Sequence, residues 1–314
     1  MLESSEGKKE PLDNMFQYIG QTAALATAFF WSISATSMTS AGRRIGSFGT
    51  NGWRILLGCI FLLIYHLVDF GTFLPGASGG QLVLLGLSGV IGLIVGDGFL
   101  YQAYVEIGPR ITLLIFNLSP FITTFLASLA LGEKLSRWGW LGMVVTILGV
   151  VWVLYEENRG KVEKPPRNMT RGIIFAILAA LGQSLGYVLA KPAMLGSNGL
   201  PTLSATLIRL LFAAAGFGVI AMIKKDFFKC KVILNNKRIF LFLFIGSFFG
   251  TAGIWTSLVA LKYVSAGIAA TITATLPVMI LPFVIFFHKE KVPWRAAIGA
   301  LITIIGVAIL FAKS

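Results

Sequence analysis

An all-α polytopic membrane protein, with ten transmembrane helices arranged as two inverted five-helix repeats, is predicted by three features of this sequence. The chain is 56% hydrophobic and 12% charged, with a mean hydropathy of +0.83, whereas a globular domain carries about twice that share of charge. Its apolar runs reach the roughly 20 residues that a helix needs to cross the hydrocarbon core. One stretch, residues 108–150, recurs without a gap as residues 265–307. The pattern excludes a transmembrane barrel, because barrel strands alternate over about 10 residues and these runs are apolar on both parities.

The two copies read GPRITLLIFNLSPFITTFLASLALGEKLSRWGWLGMVVTILGV and SAGIAATITATLPVMILPFVIFFHKEKVPWRAAIGALITIIGV. Pro120 and Pro277 coincide, as do Glu133 and Glu290, Lys134 and Lys291, Gly142 and Gly299, and Gly149 and Gly306. Each copy is an apolar run with a proline in its middle, a short charged turn and a second apolar run. That is a helical hairpin used twice.

In chain order, residues 1–16 form a polar tail of mixed sign, and the run that follows is too long for a signal-peptide core, so it is expected to remain in the mature protein. Spans are expected at 18–41, 53–70, 81–105, 111–131 and 138–155, making a first repeat over residues 17–155. The segment EENRGKVEKPPRNMTR has no apolar period and separates the halves, with a linker at 156–170. Further spans at 172–195, 202–223, 239–264, 266–287 and 294–312 make a second repeat over 171–314. Gly20 and Ser32 match Gly172 and Ser184, Arg54 matches Arg209, and Gly89, Gly96 and Ala103 match Gly246, Gly253 and Ala260. Five is an odd number, so the second copy enters the membrane with the opposite orientation, and a pseudo-two-fold axis lies in the membrane plane.

The formal charge of +13 sits in the connections between spans. There it serves topology, and no nucleic-acid partner is expected. Counting charges, Lys8, Lys9, Lys134, Arg137, Lys191, Lys262 and Lys313 share the face of the termini, while the linker and the loop KKDFFKCKVILNNKR load the other face more heavily. By the positive-inside rule this puts both termini outside. Cys59, Cys230, His66 and His288 are isolated from one another, so no metal, disulfide or cofactor is expected. There is no GxxxxGK[ST] for ATP, no HExxH, no histidine pair and no second intramembrane carboxylate near Asp97. An enzyme, including one acting on lipid-linked substrates, is therefore not expected. A membrane-embedded assembly or channel partner is the alternative to a transporter.

The proline-centred span followed by LGEKLSRW and a span ending LGVVWVL, together with TLPVMILPFVIFFHKEKVPWRAAIGALITIIGVAIL in the second half, resembles the drug/metabolite transporter superfamily, in its ten-helix type with two EamA repeats. The resemblance covers residues 18–312. It departs in the second copy, where His288 stands opposite Leu131 and the glycine before Glu290 is missing. It implies secondary transport of a small metabolite or amino-acid-like solute, commonly export, by a multi-pass protein of the cell membrane. Relatives are commonly drawn with both termini cytoplasmic, against the charge count. Proton coupling and either a monomer or a homodimer are compatible with it.

Candidate residues follow from polarity at depth. Asp97, in GVIGLIVGDGFLYQAY, is a carboxylate within the third span, where ionisation costs at least about 2.5 kcal/mol unless it is paired or wetted. It reads as a coupling carboxylate, as a partner for a cationic substrate group, or as half of a fixed pair with Lys191, Arg54 or Arg209. Tyr101 and Gln102 follow it in the same motif. Gln183, Tyr187 and Lys191 share one helical face at i, i+4 and i+8, expected to line the cavity. Pro120 and Pro277 remove backbone donors and should kink their spans near mid-membrane. Around them lie Asn117, Ser119, Thr123 and Thr124, and Thr271, Thr273 and Thr275, as substrate contacts or as hydroxyls that re-satisfy the kinked backbone. Trp31 and Ser32 in the first span and Trp255 and Thr256 in the eighth complete the set. Arg54 and Arg209 are expected to snorkel to the headgroups. Glu133 and Glu290 are read as turn and capping residues, and the glycines of the fifth and tenth spans as a close-packing face within one chain or across a dimer.

Overall fold

The computed structural model describes residues 9–157, 168–224, 233, 235–279, 281 and 294–313. Its elements are α1 (Lys9–Phe70), α2 (Gly79–Gly89), a π-helical segment (Val90–Gly96), α3 (Asp97–Phe116), α4 (Ser119–Leu131), α5 (Arg137–Glu157) and α6 (Met169–Ala190), which ends in a 3-10 turn (Lys191–Met194). Then come α7 (Thr202–Lys224), α8 (Lys237–Tyr263), α9 (Ala266–Thr273), α10 (Leu276–Met279) and α11 (Trp294–Lys313). No strand occurs among the described residues.

Eight helical segments among them are long and apolar enough to cross a membrane. The first expected span lies inside α1, separated from the second by Gly46, whose φ of 82° and ψ of 164° break the helix. The ninth is described only through Met279 and at Leu281, so Glu290, Lys291 and His288 fall outside the described residues, as does Cys230. Large apolar side chains face outward, with Val68 81% and Ile223 76% exposed. Such a surface suits lipid and not water.

Local chemistry sets the helix ends. Ser78 caps α2 in a reciprocal box with Gln81, Asn168 accepts from Arg171 N–H at the start of α6, and Asn236 and Ser265 cap α8 and α9. Asn168, which begins an Asn-Met-Thr glycosylation-type triplet, thus serves as a helix cap. Gly132 closes α4 in the left-handed region at φ 67°, where a glycine carries no steric penalty.

Packing repeats the internal symmetry of the sequence. On α5 and α11, Gly149 lies against Thr303 and Gly306 lies against Thr146, a reciprocal contact between matched residues within one chain. Likewise Trp31 of α1 lies on Gly253 of α8, as Gln183 of α6 lies on Gly96. Small residues let these backbones approach where no hydrophobic force separates helix from lipid.

Candidate functional site

Asp97 ends the π-helical segment and begins α3. Gly89, Gly92 and Gly96 place this segment directly on the Arg209 backbone and on Gly182 and Gly186 of α6. The wider winding of a π-segment is a local departure that recurs at functional sites. The Asp97 carboxylate forms an ion pair with the Arg54 guanidinium, the two side chains being 17% and 11% exposed. Arg54 Nε donates to Asn51 Oδ1 at 3.0 Å, and Asn51 Nδ2 donates to the Leu93 carbonyl at 3.3 Å. Of the three bases open to Asp97 from sequence, the partner is Arg54. Snorkelling is thereby corrected for both arginines: Arg54 and Arg209 are buried, at 9% and 2% exposure, because helices close around them before the side chains reach a headgroup.

Beside Asn51, which holds Arg54, opens a cleft of about 240 Å³, lined by Phe48, Asn51, Gly98, Tyr101, Gln102 and Phe217 among others. Tyr101 lies one helical turn beyond Asp97, and Gln102 Nε2 donates to Glu106 Oε1 at 3.4 Å. Glu106, absent from the sequence candidates, is buried and lies 3.8 Å from Arg171.

Lys191 does not join Asp97. Its Nζ lies 2.5 Å from Glu133 Oε1 and donates to the Val264 carbonyl at 2.6 Å, while Glu133 Oε2 accepts from Ala266 N–H at 2.7 Å. Glu133 therefore keeps its capping role and gains a cation. The cluster ties together the ends of α4, α6 and α8 and the start of α9. It stands at the exit end of α6, beside the 3-10 turn whose Ala193 carbonyl accepts from Gln81 at the start of α2. Phe48 and Asn51, at the start of the span Phe48–Phe70, stand at the opposite end of the bundle.

Arg209 lies between these two clusters. Its Nη2 is 3.4 Å and 3.6 Å from where methyl groups on Gly92 and Gly186 would sit, so the two glycines leave room for the guanidinium. Among the described residues, Arg209 Nε and Nη1 have no hydrogen-bond partner. Tyr187, with Gln183 beside it, faces Arg209, so the expected stripe divides, its first two members going to the centre and Lys191 to the end.

Both proline regions are helix breaks. α3 stops at Phe116 and α4 starts at Ser119; α9 stops at Thr273 and α10 starts at Leu276, the matched positions. Each proline enters at the start of a new helix, where its missing N–H is not needed. Ser184 Oγ accepts from Thr123 Oγ1 at 2.9 Å and lies 3.1 Å from the Ser119 carbonyl. Thr124, Thr271, Thr273 and Thr275 bond carbonyls of their own helices at 2.7–2.8 Å. Asn117 is buried, with Nδ2 unpartnered among the described residues. Trp31 Nε1 donates to the Gly250 carbonyl, and Ser32 to that of Ala28. Trp255 Nε1 donates to Thr202 Oγ1, and Thr256 Oγ1 lies 2.8 Å from Thr27 Oγ1.

Sequence reasoning missed Glu133 and Asn51 as members of these clusters. Neither carried a local signal, since one sat in a charged turn and the other at a span boundary. Arg209 had a usable one: an arginine a full two turns inside the span Thr202–Ile223.

Apolar helices long enough to cross a bilayer, around a buried polar interior, define a multi-pass membrane protein as the class. The model of the EamA-like transporter family matches residues 18–155 and again 170–312, and the chain belongs to that family. It is 23% identical over 289 residues to an uncharacterized transporter of Archaeoglobus fulgidus, covering 91% of this chain and 96% of that one. It is 25% identical over 300 residues to an uncharacterized transporter of Clostridium kluyveri, covering 94% of each. A crystal structure whose description names no activity superposes with a TM-score of 0.74 at 19% identity, over 94% of this chain and 95% of that one, a likeness of fold.

Proposed function

We propose that this transporter is a secondary active exporter of a small metabolite or amino-acid-like solute, working by alternating access between its two repeats with proton coupling at Asp97. The observation that carries the reading is a pair of separate charge locks at opposite ends of the bundle. Asp97 and Arg54 pair near a cleft of about 240 Å³ lined by Asn51, Gly98 and Tyr101, and Glu133 and Lys191 pair near a cleft of about 390 Å³ lined by Lys134, Val264 and Ser265. Protonation of Asp97 releases Arg54 and removes the charge that holds the second span to the third. Rocking of the repeats then parts Glu133 from Lys191 and closes the cleft lined by Asn51 and Tyr101.

Counterflow in proteoliposomes loaded with a mixed metabolite pool tests the transport reading; exchange no greater than in empty vesicles would overturn it. For coupling, Asp97→Asn is expected to abolish uptake driven by a pH gradient while sparing exchange at equal pH. Persistence of gradient-driven uptake would reduce Asp97 to a structural partner of Arg54.

A further inference from the structure

In the central layer, among the described residues, two buried guanidinium groups, Arg54 and Arg209, share the field of one carboxylate, Asp97, which Arg54 engages directly. Glu133 is taken by Lys191 at the other end, and Glu106 lies by Arg171. Arg209 is 2% exposed, with Nε and Nη1 unpartnered among the described residues, and the buried Tyr187 hydroxyl lies beside it, near Gln183 and Ser257. A buried cation with open donors is retained where an anion completes it.

We infer that Arg209, with Tyr187, is a binding subsite for the negatively charged group of the transported solute, and that this solute is a small organic monoanion held by its carboxylate. A planar guanidinium presents adjacent N–H groups that match a carboxylate in bidentate fashion, and a phenol adds a third donor. The excess of one positive charge fits one carboxylate better than a phosphate monoester, which carries about −1.5 to −2 at neutral pH. The cleft whose wall includes Phe217, about two helical turns beyond Arg209 on α7, with Phe48, Ile94 and Ile220 beside Asn51 and Gln102, suits a largely apolar body. Gly92 and Gly186 border the guanidinium, methyls there standing 3.4 Å and 3.6 Å from Nη2, in ordinary contact. The inference rests on the transport reading for the word solute, but not for the binding of the anion.

The test pairs thermal unfolding of the purified full-length protein in detergent with proteoliposome counterflow, using acetate, butyrate and benzoate and their uncharged amides as probes. At least one carboxylate is expected to raise the unfolding midpoint and to exchange, while its amide does neither. Arg209→Lys keeps the charge and loses the fork, and should weaken half-saturation by about tenfold, the size of one charge-assisted hydrogen bond. Arg209→Gln should lose the effect altogether. If that variant does not elute as a single species, Arg209→Lys and Tyr187→Phe carry the comparison. Amides acting as well as acids, unchanged affinity in Arg209→Lys, or no response to any probe would overturn the subsite. Exchange of acids and amides alike would overturn it while leaving the transport reading intact. Stabilisation by a carboxylate without exchange would support the subsite and count against transport.

Discussion

Lys191 Nζ lies 2.5 Å from Glu133 Oε1, and the other oxygen of the same carboxylate receives the first free N–H of α9 from Ala266. One side chain thus neutralises a lysine on α6 and caps a helix from the opposite repeat. The two tasks are separable. Glu133→Gln retains an acceptor for Ala266 but leaves Lys191 uncompensated, and it should destabilise the protein by about 3 kcal/mol, the lower end for one partner removed from a buried pair. Lys191→Met leaves Glu133 its cap and should cost less. Denaturant unfolding in detergent reads both losses, and no loss in either variant would mean that the cap, not the charge, matters.

Asp97 and Arg54 should be coupled more strongly than either is to its surroundings. Asp97→Asn alone strands a buried guanidinium and Arg54→Gln alone strands a carboxylate, so each single change should cost about 3 kcal/mol. The double variant should recover at least about 1 kcal/mol of the summed loss, because two neutral amides can bond each other. Additive losses in a double-mutant cycle of unfolding free energies would contradict the pair.

Gly149 and Gly306 occupy reciprocal contacts against Thr303 and Thr146. Valine at either should destabilise by about 1–3 kcal/mol through overpacking, and the two losses should be similar because the environments are copies. Unfolding midpoints of Gly149→Val and Gly306→Val, compared with exposed Gly98→Val, check this. A loss at only one of the two would break the equivalence.

Ser184 links the helix break before Pro120 to α6, through Thr123 and the Ser119 carbonyl. Ser184→Ala removes this buried hydroxyl and should cost about 1–2 kcal/mol, one bond plus an unsatisfied carbonyl. Amide hydrogen exchange should quicken at the start of α4 more than in α5. Uniform exchange rates would place the stabilisation elsewhere.

The amino-acid sequence by itself determined the helical class, the doubled hairpin, the opposed orientation of the halves and the polar residues that had to lie at depth. All of these depend on period, length and hydropathy, which are properties of a segment and its immediate neighbours. The capping residues Ser78, Asn168, Asn236 and Ser265 were equally local. Tertiary structure alone decided the pairing of charges, because Asp97 had three bases within sequence reach and electrostatics selects by distance in space. It sent Lys191 to Glu133 instead, dividing a helical face that looked continuous at i, i+4 and i+8. It also withdrew Arg54 and Arg209 from the headgroups, since whether a long cationic side chain snorkels depends on which helices close around it. That last decision left Arg209 in the protein interior with donors unfilled, which no reading of one span could have disclosed.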